Sequence, residues 1–268
     1  RSWIVLFGMS FQPSELAKLA FIIYLAAWLE ERKKKINDFY QGFLPFIFIV
    51  ALIAIPLIKQ PDIGTLVAIS SIACAMYFVS GAGFKNLLMI FAGGVAGVIA
   101  LIKVAPYRMN RLTTFLYPEI DPLGIGYQIN QALLAIGSGG LFGLGLGHSR
   151  QKFNYLPEPI GDSIFAVIGE ELGLAGLAFL IFLFLVFAKR GLDIASRTKD
   201  DFGKFIAAGI TAWVIFQSLM NIGAITSLLP LTGIPLPFIS YGGSALMSLL
   251  AAVGVLLSVS RYGGAYRK

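Results

Sequence analysis

Residues 163–188 read SIFAVIGEELGLAGLAFLIFLFLVFA, and Lys189-Arg190 closes the run. Its only charges are Glu170 and Glu171. A helix of this length crosses a hydrocarbon core about 30 Å thick. Six more apolar blocks follow the same pattern, at 13–30, 41–58, 63–80, 84–104, 203–227 and 238–260. Alternating ten-residue strands are absent, and lipid leaves no backbone group unpaired, so the blocks read as transmembrane helices. The expected fold class is all-α: a polytopic membrane protein with seven transmembrane helices. Residues 1–268 form one membrane domain, with a large extracytoplasmic loop at 105–160.

Composition agrees. Of 268 residues, 57% are hydrophobic and 13% charged, against roughly 25% charged in ordinary soluble domains. A soluble enzyme is excluded. Cys74 is the sole cysteine and lies within an apolar block, so it reads as a small buried residue and forms no intrachain disulfide. No signal-peptide pattern opens the chain. It begins at Arg1-Ser2-Trp3 without Met, just before a span, so further sequence is expected upstream.

The net charge of +7 sorts the loops. Arg32, Lys33, Lys34, Lys35, Lys85, Lys189, Arg190, Arg197, Lys199, Lys204, Arg261, Arg267 and Lys268 fall on one side. These thirteen mark the cytoplasmic side, with the N-terminus outside and the C-terminus inside. The other side holds seven: Arg1, Lys59, Lys103, Arg108, Arg111, Arg150 and Lys152. Five of the seven fall on one segment, 103–160, that starts at the end of the fourth block. Cations at an outer lipid boundary point to an anionic target such as a phosphate or diphosphate. Tyr127 to Leu146, in the same loop, is apolar enough to pack on the membrane domain or dip into the interface.

Several polar stretches interrupt the blocks, and most have two readings. In Gln12-Pro13-Ser14-Glu15-Leu16-Ala17-Lys18, Pro13 suits a first helical turn. Glu15 and Lys18 are three residues apart, so they pair either as a structural bridge or as charges facing a cavity. In Lys59-Gln60-Pro61-Asp62, Asp62 either caps the third helix or helps build a polar site. Arg108 and Arg111 either snorkel or clamp a diphosphate. Gly137 to Gly147 is glycine-dense, with no Gly-Lys-Ser/Thr of a phosphate loop, so close packing is expected. His148 is the only histidine, which leaves little material for a His-based zinc site or a Ser-His-Asp triad.

Tyr155 to Gly173 is the most distinctive stretch. Two prolines and a glycine lead to Asp162 at the outer mouth of the fifth helix, where it is either an N-cap or a reactive acid. A helix N-terminus favours the charged carboxylate, which would make Asp162 a weak base. Glu170 and Glu171 lie two turns deeper, with Glu170 nearer the face of Asp162. Such carboxylates beside cations suit acid–base chemistry or divalent metal binding. Gln217 and Asn221, then Leu229 to Ser244 with three prolines, describe an irregular outer connection into the last helix. Such backbone is tolerated only where protein or a cavity surrounds it; helix-packing glue is the other reading.

Seven stretches occur together in the order in which one family carries them. They are Phe11-Gln12-Pro13-Ser14-Glu15 with Lys18; Lys59 to Asp62 with Gly64-Thr65; Tyr107-Arg108 with Arg111; Gly126-Tyr127-Gln128 with Gln131; Leu156 to Gly173; Asn221-Ile222-Gly223; and Pro237 to Ser244. Over nearly the whole chain they resemble the SEDS (shape, elongation, division and sporulation) family. The resemblance implies a ten-helix fold whose last seven helices are present here. One departure is Ile160-Gly161, where many members have His-Thr; this version looks more like the division or sporulation (FtsW-like) type than RodA.

The resemblance implies a peptidoglycan glycosyltransferase polymerising lipid II at the outer face of the bacterial cytoplasmic membrane, with septal placement. Implied partners are lipid II, a class B penicillin-binding protein supplying the transpeptidase, divisome proteins and membrane lipids; no nucleic acid is expected. Asp162 aligns with the family's essential aspartate, and Glu15 and Lys18 with its helix pair. Arg108, Arg111 and Lys59 would bind diphosphate. Asp62, Gln128, Glu158, Glu170, Asn221, Ser240 and Tyr241 would line a polar cavity. A divalent cation, Mg2+ or Mn2+, is the expected cofactor, with Asp162 a candidate ligand. A lipid II flippase and a non-catalytic division scaffold remain alternatives.

Overall fold

Residues 4–6, 9–60, 62–104, 109, 113–117, 120, 124–153 and 155–265 are described by the computed structural model. Each of the seven apolar blocks forms a helix. They are α1 (Pro13–Arg32), α2 (Leu44–Lys59), α3 (Ile63–Val79), α4 (Phe84–Val104), α6 (Ile164–Arg197), α7 (Asp201–Ile225) and α8 (Gly243–Ala265). An eighth, α5 (Ile125–Ser138), lies in the long loop. By length and composition, four segments among the described residues can cross a membrane: Phe39–Lys59, Ile164–Arg197, Asp201–Ile225 and Gly243–Tyr262.

The all-α class holds, and two span boundaries differ from expectation. One short hairpin precedes α1: β1 (Ile4–Leu6) and β2 (Met9–Phe11) pair antiparallel, with Ile4 opposite Phe11. The extended backbone continues to Gln12 (φ −103°, ψ 106°), as a residue before proline prefers. The fifth span runs on to Arg197, so Lys189 and Arg190 are helical. The last helix begins at Gly243 rather than 238. Phe238 holds a left-handed φ of +66°, and the Tyr241 N–H donates to Ile160 O at 2.8 Å. Both keep the segment out of a helix.

The chain divides into two compact units. The first comprises residues 1–93, 186–216 and 243–268. There α1 packs on α3 and α8, and α2 packs on α3. Ile22, Leu25, Ala26 and Leu29 of α1 are wholly buried, the spacing of one helical face. Gly209 of α7 lies against Ile22 and Met76, with no room for a Cβ. Trp213 of α7 is also wholly buried.

The second unit comprises residues 94–185 and 217–242. Ile129, Ala132 and Ala135 of α5 pack with Phe165, Ala166, Leu177 and Leu180 of α6 and with Ala224 and Ile225 of α7. The apolar part of the long loop thus packs as a core helix.

Helix α6 is broken. Gly173 adopts φ 66°, ψ −166°, which frees backbone groups on both sides. The glycine-rich segment satisfies them. Leu144 and Gly145 N–H donate to the carbonyls of Glu170 and Glu171, at 2.9 and 3.0 Å. Leu174 and Ala175 N–H donate to those of Gly140 and Leu141, at 2.9 and 3.1 Å. This close approach explains the glycines. A Cβ at Gly143 (φ +79°) would run into the Glu171 carbonyl. Gly143→Ala is therefore expected to cost about 1–3 kcal/mol, read as a lower thermal midpoint in detergent; an unchanged midpoint would contradict the splice.

Candidate active site

Asp162 is delivered by a tight, strained turn in the second unit. Glu158, between Pro157 and Pro159, has φ +47°, uncommon for a residue with a Cβ. Its carbonyl accepts from the Gly161 and Ser163 N–H groups, at 3.0 and 3.3 Å. Helix α6 then starts at Ile164.

The turn is braced from three directions. Asn221 of α7 donates its amide to the carbonyls of Asp162 (2.7 Å) and Ile234 (2.8 Å). The Ser240 hydroxyl donates to Gly161 O and accepts from Leu236 N, both at 2.7 Å. Gln128 of α5 donates to the Ser163 hydroxyl at 3.1 Å. Gln217 fixes the opposing connection through Pro235 O at 2.9 Å. Gln128, Asn221 and Ser240, expected to line a cavity, hold the turn in place. Tyr241 contributes its backbone, while its side chain is exposed. Glu158 is exposed as well.

These bonds run through backbone groups and the Ser163 hydroxyl, not through Asp162 Oδ1. Asp162 Oδ1 is buried and has no hydrogen-bond partner among the described residues. Thr232 Oγ1 and Asn221 Oδ1 share that condition. Gly233, with φ +68°, lies beside the carboxylate: a Cβ there would be in ordinary contact with Asp162 Oδ2, at 3.8 Å. Burial pushes the Asp162 carboxyl above the usual aspartate range, and the Glu158 charge pushes the same way. The N–H groups of Asp162 and Ser163 and the Gln128 amide oppose this and are outweighed. The expectation of a carboxylate depressed by the helix N-terminus is corrected: desolvation dominates.

Glu170 sits differently. It is 1% exposed, and its carboxylate is occupied by the loop. The Ser149 hydroxyl donates to Oε2 at 2.6 Å, the Arg150 N–H to Oε1 at 3.0 Å and the Gln151 N–H to Oε2 at 3.2 Å. Glu171 takes Lys152 Nζ at 2.7 Å. Both acids anchor the chain that precedes the Asp162 turn. Glu170→Ala leaves three donors without their acceptor, an expected loss of about 2–3 kcal/mol; unfolding of purified protein measures it, and a loss below about 0.5 kcal/mol would contradict the anchor.

The remaining expected residues fall in the first unit or outside the described set. Glu15 and Lys18 pair at 2.7 Å with side-chain exposures of 2% each. Lys18 Nζ lies 4.8 Å from the Trp213 ring centroid. Asp62 caps α3, accepting from Thr65 N at 3.0 Å and Thr65 Oγ1 at 2.8 Å. Lys59 is exposed at the end of α2. Arg108 and Arg111 lie outside the described residues. Trp213, Ser149 and Thr232 were not singled out from sequence. The first two meet their partners across 195 and 21 positions, and no local pattern signals that.

Among the described residues, no three His, Cys, Asp or Glu side chains are grouped to hold a metal ion. The unpaired Oδ1 of Asp162 is a hard oxygen donor suited to Mg2+ or Mn2+, but one carboxylate suffices only where a substrate adds phosphate oxygens.

A family model described as cell cycle protein (FtsW/RodA/SpoVE) matches residues 1–264. Stage V sporulation protein E of Bacillus subtilis (strain 168) is 48% identical, over 98% of this chain and 72% of its own length. A probable peptidoglycan glycosyltransferase FtsW of Geobacter sp. (strain M18) is 42% identical, over 96% and 70%. A solved chain from a peptidoglycan synthase complex, described as coordinating polymerization and crosslinking, superimposes with TM-score 0.82 at 29% identity. It covers all of this chain and 74% of that one. The rod shape determining protein RodA of Thermus thermophilus gives TM-score 0.68 at 29% identity, over 100% and 71%. The chain is therefore a multi-pass membrane protein belonging to the FtsW/RodA/SpoVE family.

Proposed function

We propose that this chain is a peptidoglycan glycosyltransferase that polymerises lipid II into glycan strands at the outer face of the cytoplasmic membrane during cell division. The observation that carries the reading is Asp162: a carboxylate held by a braced turn, with Oδ1 buried and unpaired among the described residues. The names of the relatives support the activity. The synthase complex supports a penicillin-binding protein partner of class B. Divisome proteins and a septal location complete the proposal. The Lys and Arg distribution supports an N-terminus outside and a C-terminus in the cytoplasm.

In the reaction a donor sugar α-linked to a diphosphate becomes β-linked in the product, so one inverting displacement suffices. Asp162 accepts the proton of the acceptor hydroxyl as its oxygen forms the new bond to the anomeric carbon. The bond to the diphosphate breaks, and the electron pair leaves with that group. Arg108 and Arg111 offset its charge. Asp162 would be the residue to hold a divalent cation, which would supply further neutralisation of the leaving charge when bound. The raised carboxyl favours proton acceptance, because a general base works best when its pKa approaches the working pH.

Purified full-length protein with its transpeptidase partner, given fluorescent lipid II, is expected to yield a ladder of glycan strands. Transport of lipid II across proteoliposomes with no strands formed would support a flippase instead.

A further inference from the structure

The chain passes from α1 to α2 through a fixed turn in the first unit. Lys33–Lys35 add one 3₁₀ turn to α1, and a π-helical turn at Phe39–Phe43 leads into α2. Asp38 accepts from Tyr40 N at 2.9 Å and Gln41 N at 2.7 Å. The Tyr77 hydroxyl donates to Ile36 O at 2.9 Å. A Cβ at Gly42 would run into the carbonyls of Lys35 and Ile36.

A cavity of about 400 Å³ opens in this turn, lined by Glu31, Arg32, Lys35, Tyr40, Gln41 and Pro45. The Arg32 guanidinium lies 5.1 Å from the Trp28 ring centroid. It is only 3.8 Å from Glu31, a loose contact. Lys33 is taken by Asp201 at 2.6 Å. Lys35 has no ion pair among the described residues. The lining therefore carries two cations and one carboxylate, a net single positive charge. Below it, Pro45, Phe48, Leu52 and Ile55 share one helical face of α2, and the last three are 68%, 62% and 52% exposed.

We propose that this cavity binds the headgroup of a singly charged anionic phospholipid, with one acyl chain lying along Phe48, Leu52 and Ile55. The charge balance matches one phosphodiester. Arg32 offers a planar fork and Lys35 a point charge to its oxygens. The Tyr40 hydroxyl and Gln41 amide suit the glycerol oxygens, and Glu31 at the rim disfavours multiply charged anions. Basic clusters beside a membrane helix attract anionic lipid in this way. The preformed turn adds a defined geometry, and none of these residues belongs to the proposed active site.

Native mass spectrometry of the full-length protein, titrated with phosphatidylglycerol, phosphatidylcholine and inorganic phosphate, tests this. Phosphatidylglycerol is expected to bind in preference to phosphatidylcholine. Arg32→Gln with Lys35→Gln is expected to weaken it about 30-fold, with lipid II polymerisation chemistry intact. Lys34→Gln, one position from the cavity lining, should weaken it less than Lys35→Gln. Where the double variant fails to fold, Lys35→Gln alone, on an exposed side chain, carries the test. Equal affinity for the two lipids, an equal loss in Lys34→Gln, or full displacement of the lipid by an equal concentration of inorganic phosphate would each overturn the proposal.

Discussion

Asp162→Asn is expected to cut the rate of glycan-strand formation by about 10²–10⁴-fold while leaving the protein no less stable than wild type. Both halves follow from one feature. Asp162 is half-buried, its buried Oδ1 has no partner among the described residues, and its pKa is raised chiefly by desolvation. The braces on the turn run through the backbone carbonyls of Asp162 and Gly161, and asparagine keeps them. At neutral pH the native state bears the cost of holding the charge. That cost is absent below the unfolded-state pKa, where both states are protonated. It grows as pH rises through the raised native value, because there the unfolded chain ionises more readily. The thermal midpoint of wild type should therefore fall relative to Asp162→Asn as pH climbs from that acid range toward neutrality. A variant that loses activity because it unfolds would show the opposite order.

Lys18→Met is expected to destabilise the protein by about 3–5 kcal/mol, because it strands the Glu15 charge in the interior. Glu15 Oε2 already has no hydrogen-bond partner among the described residues, so little else is placed to compensate. Adding Glu15→Leu should recover most of the loss, since a buried ion pair exchanged for apolar side chains is often neutral. Thermal unfolding of the two single variants and the double variant gives the coupling directly. Additive losses would mean that the 2.7 Å pair is incidental. The double variant also separates the two readings of this pair. A purely structural bridge leaves strand synthesis near wild type, whereas a functional one does not.

The helices were legible because each apolar block carries its own signal. The limits of α1 to α4 match the sequence blocks within a few residues. Asp62 was readable as a cap because capping is local. What was not legible depends on distant backbone. The break at Gly173 is stable because residues 139–145 supply its missing partners. An intramembrane glutamate invites a functional reading, but Glu170 is taken up by Ser149, Arg150 and Gln151, some twenty residues away. The likeness of Asp162 to a helix cap suggested a depressed carboxyl; the burial that reverses it has no signal in the local sequence. Composition marked 230–244 as irregular, but not the direction in which its carbonyls face.

The role proposed for Asp162 is to accept the acceptor's proton during glycan polymerisation. The most direct test is the pH dependence of the single-turnover polymerisation rate, for wild type and Asp162→Asn. The wild-type rate is expected to rise with pH through an apparent pKa above the usual aspartate range, and the variant to show a low rate without that limb. The same rising limb in Asp162→Asn, or a wild-type rate at which the variant also works, would contradict it.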